Sequence, residues 1–264
     1  MRLVVFASGS SGNCALVRCG DTNLLLDAGI SLRRIKTALY TQGLTVEDLR
    51  GVLITHEHSD HVAALRTMAK YHAVPIYAPR TVAVRLCGAM PELEDRLRRI
   101  RVDEPFVLGG VTVTAFATPH DTDQSVGYRL ESGEEALGCC TDTGHISGEM
   151  LSALRGCGTA LIEANHDIDM LRFGAYPPAL KRRILSERGH LSNDDCARLA
   201  CMLAGSGTRS LILGHLSREN NTPRRAFETV RAALDAEGFG EVALHVAPVS
   251  GELAVEIERC CVSN

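Results

Sequence analysis

The chain of 264 residues predicts an α/β fold, a four-layer αββα sandwich of two mixed β-sheets with helices outside. Three observations carry this prediction. Short apolar runs alternate with segments of helical periodicity. The order of antiparallel strands followed by βα units occurs twice, once in each half. No low-complexity linker divides the halves, so one domain spanning 1–264 is expected, with 45% hydrophobic residues to fill its core.

The elements follow in order. Leu3 to Ala7, Ala15 to Arg18 and Leu24 to Asp27 are apolar runs separated by the Gly/Ser turn 8 to 12 and by Gly20-Asp21, which makes a strand meander. A helix around 31 to 41, a strand 52 to 55, a helix from about 60 to 71, a short strand Pro75 to Tyr77 and a helix 80 to 89 come next. Segment 92 to 101 is dense in Glu and Arg and reads as a solvated connection. Strands 111 to 118, 125 to 131 and 136 to 141 form a second meander. The rest repeats the earlier rhythm: helix 147 to 154, strand 159 to 163, helices 178 to 188 and 192 to 204, strand 209 to 214, helix 223 to 237, and strands 242 to 247 and 253 to 257.

The formal charge of -4 and a pI near 6.2 do not advertise nucleic-acid binding, although a local basic strip acts without a basic total. Ten cysteines lie scattered without a CxxC pair, with Cys139-Cys140 and Cys260-Cys261 adjacent, so neither a disulfide framework nor a zinc ribbon is implied. They fit a reducing cytosol. The apolar run at the N-terminus is too short for a secretory signal, and no stretch approaches the ~20 apolar residues of a membrane span. A cytoplasmic protein without a membrane partner is expected; the oligomeric state is not legible. Trp is absent and aromatics are 4%, which leaves few stacking platforms for bases.

Residues 56 to 61 read HEHSDH after the apolar run Val52-Leu53-Ile54-Thr55. In an extended strand end His56 and His58 fall on one face and can hold one cation together, while a following helix swings Asp60 and His61 to another side. That geometry suits two metals. Further donors stand just past the carboxyl ends of other strands: His120 after Thr118-Pro119, Asp142 after Cys140-Thr141 and His215 after Gly214. Asp27 sits inside an apolar strand end, which leaves it either orienting a ligand histidine or hydrogen-bonding backbone.

In this series the chain resembles the metallo-β-lactamase superfamily: Asp27 in LLLDAG, HEHSDH, His120 in TPHD, Asp142 in TDTGH and His215 in GHLSREN. GHLSNDDCARLA followed by SLILGHLSREN, and the Glu-bearing IEANHD, resemble the ribonuclease Z-like phosphodiesterase branch. The combination of ASGSSGN, HEHSDH, IEANHD, YPPALKRRILSERGHLSN and GHLSRENN is similar to the YycJ/WalJ group of bacterial exonucleases acting on double-stranded DNA. The resemblance implies the metallo-β-lactamase fold, with His56, His58 and His120 on one metal, Asp60, His61 and His215 on the other, and Asp142 bridging. Such mixed ligands admit Zn²⁺, Mn²⁺ or Fe²⁺.

Two such cations share a hydroxide nucleophile and neutralise a phosphodiester as charge builds up, with Asp60 orienting the attack. His190 of GHLSN is the candidate acid for the leaving oxygen, and Glu163 the carboxylate that raises its pKa, an arrangement similar to ribonuclease Z. His166 is a candidate substrate contact. Lys181, Arg182 and Arg218 can meet phosphates near the metals, as can the Gly/Ser turn through Ser10 and Asn13; Arg33, Arg34 and Lys36 offer another basic patch. Arg96, Arg98, Arg99 and Arg101 read as a solvated face, His72 and His245 as structural, and Cys139 and Cys140 as small core residues. The resemblance implies a metal-dependent 5'-to-3' exonuclease on double-stranded DNA; a thioesterase or lactonase on the same metal core is the alternative, discriminated by the GHLSN loop. The short interval from His120 to Asp142 leaves little room for a tRNA-grasping arm.

Overall fold

The computed structural model describes residues 1–259; Cys260 and Cys261 lie outside the described residues. The N-terminal apolar runs form β1 (Arg2–Ala7), β2 (Cys14–Cys19) and β3 (Thr22–Leu26). Then come α1 (Leu32–Thr41), β4 (Gly51–Leu53), α2 (Ser59–Val62), α3 (Leu65–Tyr71), β5 (Ile76–Pro79), α4 (Arg80–Ala89), β6 (Leu97–Ile100), β7 (Phe106–Leu108) and β8 (Val111–Ala117). The second half holds β9 (Val126–Ser132), β10 (Glu135–Cys140), α5 (Gly148–Leu154), β11 (Thr159–Glu163), α6 (Ile168–Phe173), α7 (Pro178–Ile184), α8 (Asn193–Ala204), β12 (Ser210–Gly214), α9 (Pro223–Ala236), β13 (Ala243–Val246) and β14 (Leu253–Glu256). Ser31, Ser147, Asp167, Ser192 and Thr222 cap α1, α5, α6, α8 and α9, each side-chain oxygen accepting a backbone N–H of the first turn.

Contacts gather the chain into two compact units, one of Met1–Ala115, Thr122–Val126 and Pro248–Glu256, the other of Phe116–Asp121, Gly127–Ala247 and residues 257–259. In the first, a seven-stranded sheet runs β14-β1-β2-β3-β4-β5-β6. It is antiparallel through β3 and parallel beyond. Its alternate residues Val4, Leu16, Leu25, Val52 and Ile76 bury against Ile35 and Leu39 of α1, Leu65 and Met68 of α3 and Val82 and Leu86 of α4.

Two expectations for this unit change. The helix expected over 60 to 71 is split, because Ala28 takes two of its backbone partners: Ala28 N donates to His61 O (2.8 Å) and Ala64 N donates to Ala28 O (2.9 Å). The segment expected as a solvated connection contains the edge strand β6, paired on one side with β5 through Tyr77↔Arg98 and Ala78↔Arg99. Arg98 and Arg99 remain exposed, which is how charged side chains blunt a free sheet edge.

A second seven-stranded sheet runs β13-β12-β11-β10-β9-β8-β7. Its strands β10 to β13 are parallel, and Leu211, Leu213, Ile162 and Ala160 pack against Leu199 and Leu203 of α8 and Val230 and Leu234 of α9. Parallel pairing puts the carboxyl ends of β10, β11 and β12 on one edge, so the loops opening at Asp142, Ala164 and His215 leave side by side. Helix α6 and strand β7 are additional to the elements expected from sequence. No helix among the described residues is long and apolar enough to cross a membrane.

Candidate metal centre and active site

In the first unit the carboxyl ends of β3 and β4 deliver Asp27 and HEHSDH. Asp27 adopts φ 55°, a left-handed backbone that a non-glycine residue enters at a cost of roughly 1–3 kcal/mol. This turns its carboxylate back into the sheet. Asp27 Oδ1 accepts from Thr55 N (2.9 Å), and Oδ2 accepts from His61 Nδ1–H (2.7 Å) and from the Thr55 hydroxyl (3.0 Å). With its proton given to Asp27, the Thr55 oxygen accepts from His56 Nδ1–H at 3.0 Å. Both buried rings are thereby fixed as the tautomer whose Nε2 carries the lone pair, the form a metal needs.

The imidazoles of HEHSDH crowd together, with ring centroids 4.6 Å apart for His56 and His58 and 4.1 Å for His56 and His61. Asp60 Oδ2 lies 3.4 Å from His61 Nε2. The Gly/Ser turn braces this loop: Asn13 N donates to Asp60 O (2.8 Å), and Asn13 Nδ2 lies 3.3 Å from Asp60 Oδ2 and 3.1 Å from His61 Nε2. Gly29 lies against the same carbonyl, so closely that a Cβ there would stand 1.6 Å from Asp60 O.

The second unit assembles a matching set of donors. Asp142 (φ 57°) and His215 (φ 55°) also hold left-handed backbone at their strand ends. His215 Nε2 lies 3.5 Å and His120 Nε2 3.6 Å from Asp142 Oδ1. His120 Nδ1–H donates to Gly189 O (3.1 Å). Glu163, fully buried at the end of β11, accepts through one oxygen, Oε1, from both His190 Nδ1–H (2.7 Å) and His215 Nδ1–H (2.8 Å). Its other oxygen accepts Thr143 N (2.8 Å) and Leu191 N (3.4 Å). Asp142, Glu163, His190 and His215 each bring a ligand atom within 4.8 Å of the others.

Burial raises the Glu163 carboxyl, but the charge and hydrogen bonds of His190 and His215 outweigh it and hold the carboxyl at about 2. Burial likewise lowers His190, yet the Glu163 carboxylate and its hydrogen bond, with Asp142 beyond, lift the imidazole above its ordinary value. His120 is lowered by burial against the pull of Asp142, and burial takes His166 down to about 4. Imidazoles with lone pairs fixed at Nε2, set among carboxylates, fit a divalent metal by donor chemistry.

A model of the beta-lactamase superfamily domain matches residues 22–216. The exodeoxyribonuclease YycJ of Bacillus anthracis is 35% identical, over 89% of this chain and 90% of its own length. The chain belongs to the beta-lactamase superfamily. The exodeoxyribonuclease WalJ of Streptococcus pneumoniae serotype 2 (strain D39) is likewise 35% identical, over 86% of this chain and 85% of its own. Among solved structures, the metallo-β-lactamase fold protein YhfI from Bacillus subtilis matches 97% of this chain and 100% of its own at TM-score 0.72 and 18% identity. The αββα class read from the sequence is the fold of this family.

The sequence-derived candidates therefore divide by unit: His56, His58, Asp60 and His61 gather in the first, and His120, Asp142, Glu163, His190 and His215 in the second. Ser10 is exposed, whereas Asn13 is buried and engaged with the HEHSDH loop. His166 is buried beside the Glu163 loop, with no hydrogen bond to either ring nitrogen among the described residues. Lys181 Nζ donates to Arg172 O and Gly174 O (2.7 Å each), while Arg182 and Arg218 are exposed.

Sequence reasoning missed Thr55 as the relay between Asp27 and His56. It also missed a buried amide cluster beside the loops that carry Glu163, His190 and His215. Asn193 Nδ2 donates to Asn221 Oδ1 (3.0 Å) and Asn221 Nδ2 donates back to Asn193 Oδ1 (2.8 Å). Asn221 Nδ2 also meets Ala164 O (2.8 Å) and Asn165 O (3.1 Å), and Asn165 Nδ2 donates to His215 O (3.0 Å). The amides of IEANHD, GHLSN and GHLSRENN thus tie together the loops that carry Glu163, His190 and His215; the run of Asn in all three motifs was the available clue.

Proposed function

We propose that the chain is a dinuclear metal-dependent phosphodiesterase, a 5'-to-3' exonuclease on double-stranded DNA, working as one domain over 1–264 in the cytoplasm. His56, His58 and His120 hold one divalent ion and Asp60, His61 and His215 the other, with Asp142 shared; Zn²⁺ and Mn²⁺ suit this donor set. When bound, such ions supply a hydroxide nucleophile near neutral pH and neutralise the diester oxygens. Asp60 orients the attacking oxygen by hydrogen bonding, held in place by Asn13.

Glu163 carries the reading. Its Oε1 takes Nδ1–H from a ligand histidine and from His190 at once, which leaves a raised, half-buried His190 to deliver its Nε2 proton to the departing sugar oxygen. Thioester hydrolysis expels a thiolate, which leaves without such an acid. The exonuclease names of the YycJ and WalJ relatives, at 35% identity over most of the chain, support the substrate class. Ten cysteines without a CxxC pair support a reducing compartment. The test is release of nucleotides bearing 5'-phosphates from a 5'-labelled duplex in Mn²⁺, with the release lost in His190→Ala and Asp142→Ala. Hydrolysis of acyl thioesters without any nuclease activity would overturn the proposal.

A further inference from the structure

A groove of about 320 Å³ beside α1 belongs to neither donor cluster. The apolar part of its lining is Phe6, Ile30 and Ala38, and the charged part is Arg33, Arg34 and Glu252. Both arginines are exposed, and neither guanidinium has an ion-pair partner among the described residues. Glu252 is held at the other end of α1, accepting from the Thr41 hydroxyl and from Gln42 Nε2 (2.9 Å). From Arg33 to Thr41 the helix rises about 12 Å, so the carboxylate does not neutralise the arginine end.

The groove adjoins the HEHSDH loop within the same unit. Ile30 follows Gly29, which lies against Asp60 O, and a Cβ on Gly12 would meet Ile30 Cγ2 at 2.8 Å. Gly12 closes the turn whose Ser10 and Ser11 are exposed. A strand with a phosphodiester at Asp60 carries further phosphates at about 3.4 Å of helix axis per nucleotide, so its backbone reaches past this turn. Two guanidiniums without an ion-pair partner among the described residues, in the same unit as Asp60, suit phosphate. Thr37 and Thr41 also line the groove, but their hydroxyls are engaged, Thr37 with Arg33 O and Thr41 with Ala38 O and Glu252, so the contact is assigned to the backbone, where it positions the strand.

We propose that the groove is a backbone-phosphate site for the nucleic-acid substrate, with Arg33 and Arg34 each neutralising one phosphate; this rests on the nuclease reading of the neighbouring donors. The experiment is equilibrium binding of a fluorescent DNA duplex to the metal-loaded full chain across a salt series. Arg33→Ala/Arg34→Ala should weaken binding roughly tenfold per arginine and lower the slope of log K against log[salt] by about 2. Arg33→Lys/Arg34→Lys should retain most of the slope, and Arg98→Ala/Arg99→Ala, on the distant sheet edge, should bind as the parent does. Melting curves of each variant separate lost contacts from lost folding. Wild-type affinity and slope in the double alanine variant, or no duplex binding by the parent, would overturn the proposal. Hydrolysis of bis(p-nitrophenyl) phosphate by the parent reports on the chemistry separately: its absence, with arginine-dependent duplex binding intact, refutes the nuclease reading and leaves the groove standing.

Discussion

Gly29→Ala isolates the close packing beneath HEHSDH. Gly29 does not occupy the left-handed region, so alanine meets no backbone penalty there, and the effect comes from space alone. Its methyl would stand 1.6 Å from Asp60 O, 2.3 Å from Asp60 C and 2.8 Å from Asn13 N. An ordinary carbon–oxygen contact needs about 3.4 Å, so one side must withdraw by about 1.8 Å. Three buried hydrogen bonds hold the two sides in register: Asn13 N to Asp60 O, Gly29 N to Asn13 O and Ala28 N to His61 O, each 2.8 Å. At about 1 kcal/mol net for each and more for any group left unsatisfied, the substitution costs about 3–5 kcal/mol. For a chain of this size that lowers Tm by roughly 8–15 °C. The displacement also carries Asp60 and His61 out of position, so Zn²⁺ affinity, measured by competition with a chromogenic chelator, should fall at least about a hundredfold. Gly43→Ala is the control: it has φ 71° and open space around it, so it should lose only about 1 kcal/mol and keep its metal affinity. A Gly29→Ala protein that melts and binds Zn²⁺ like the parent would refute the packing argument.

Glu163→Gln should weaken Zn²⁺ binding about 10–100-fold through His215 and move the alkaline limb of the pH–kcat profile to lower pH, because His190 loses the carboxylate that raises it. In the metal-free protein the depressed Glu163 carboxyl contributes stability that is present above about pH 4.5 and lost as pH falls through about 2. Urea midpoints should therefore show the parent's advantage over Glu163→Gln, of order 3 kcal/mol, shrinking across that window; an advantage independent of pH would count against the ion pairing. Asn221→Ala removes the amide that serves Ala164, Asn165 and Asn193 and should cost about 4 kcal/mol; hydrogen exchange should quicken in the loops bearing Glu163, His190 and His215 before it does in α1.

The donors were legible because they obey a rule of position. His56, His120, Asp142 and His215 each follow a short apolar run, and strand ends on one edge of a sheet bring distant residues together. What orients those donors was less legible. Asp27 offered two roles in the sequence, orienting a ligand histidine or bonding backbone, and its carboxylate hydrogen-bonds both the His61 ring and Thr55 N. The reciprocal Asn193–Asn221 amides join loops far apart in the chain, so no local pattern announces them. The split between α2 and α3 escaped for a similar reason: the 60 to 71 sequence is compatible with one helix, and Ala28, over thirty residues away, decides otherwise by claiming its backbone groups. Strand β6 hid behind its arginines, since pairing on one side places no apolar demand on the exposed residues.

Asp27, Asp142 and His215 are three of the four non-glycine residues with positive φ among the described residues. Each holds its donor at the cost of backbone strain, and glycine at any of these positions would relieve that strain while deleting the functional group. At Asp27 and His215 the buried hydrogen bonds to Thr55, His61 and Glu163 outweigh that relief. Directed evolution that selects this protein for melting temperature alone should therefore keep these side chains and the strained backbone beneath them.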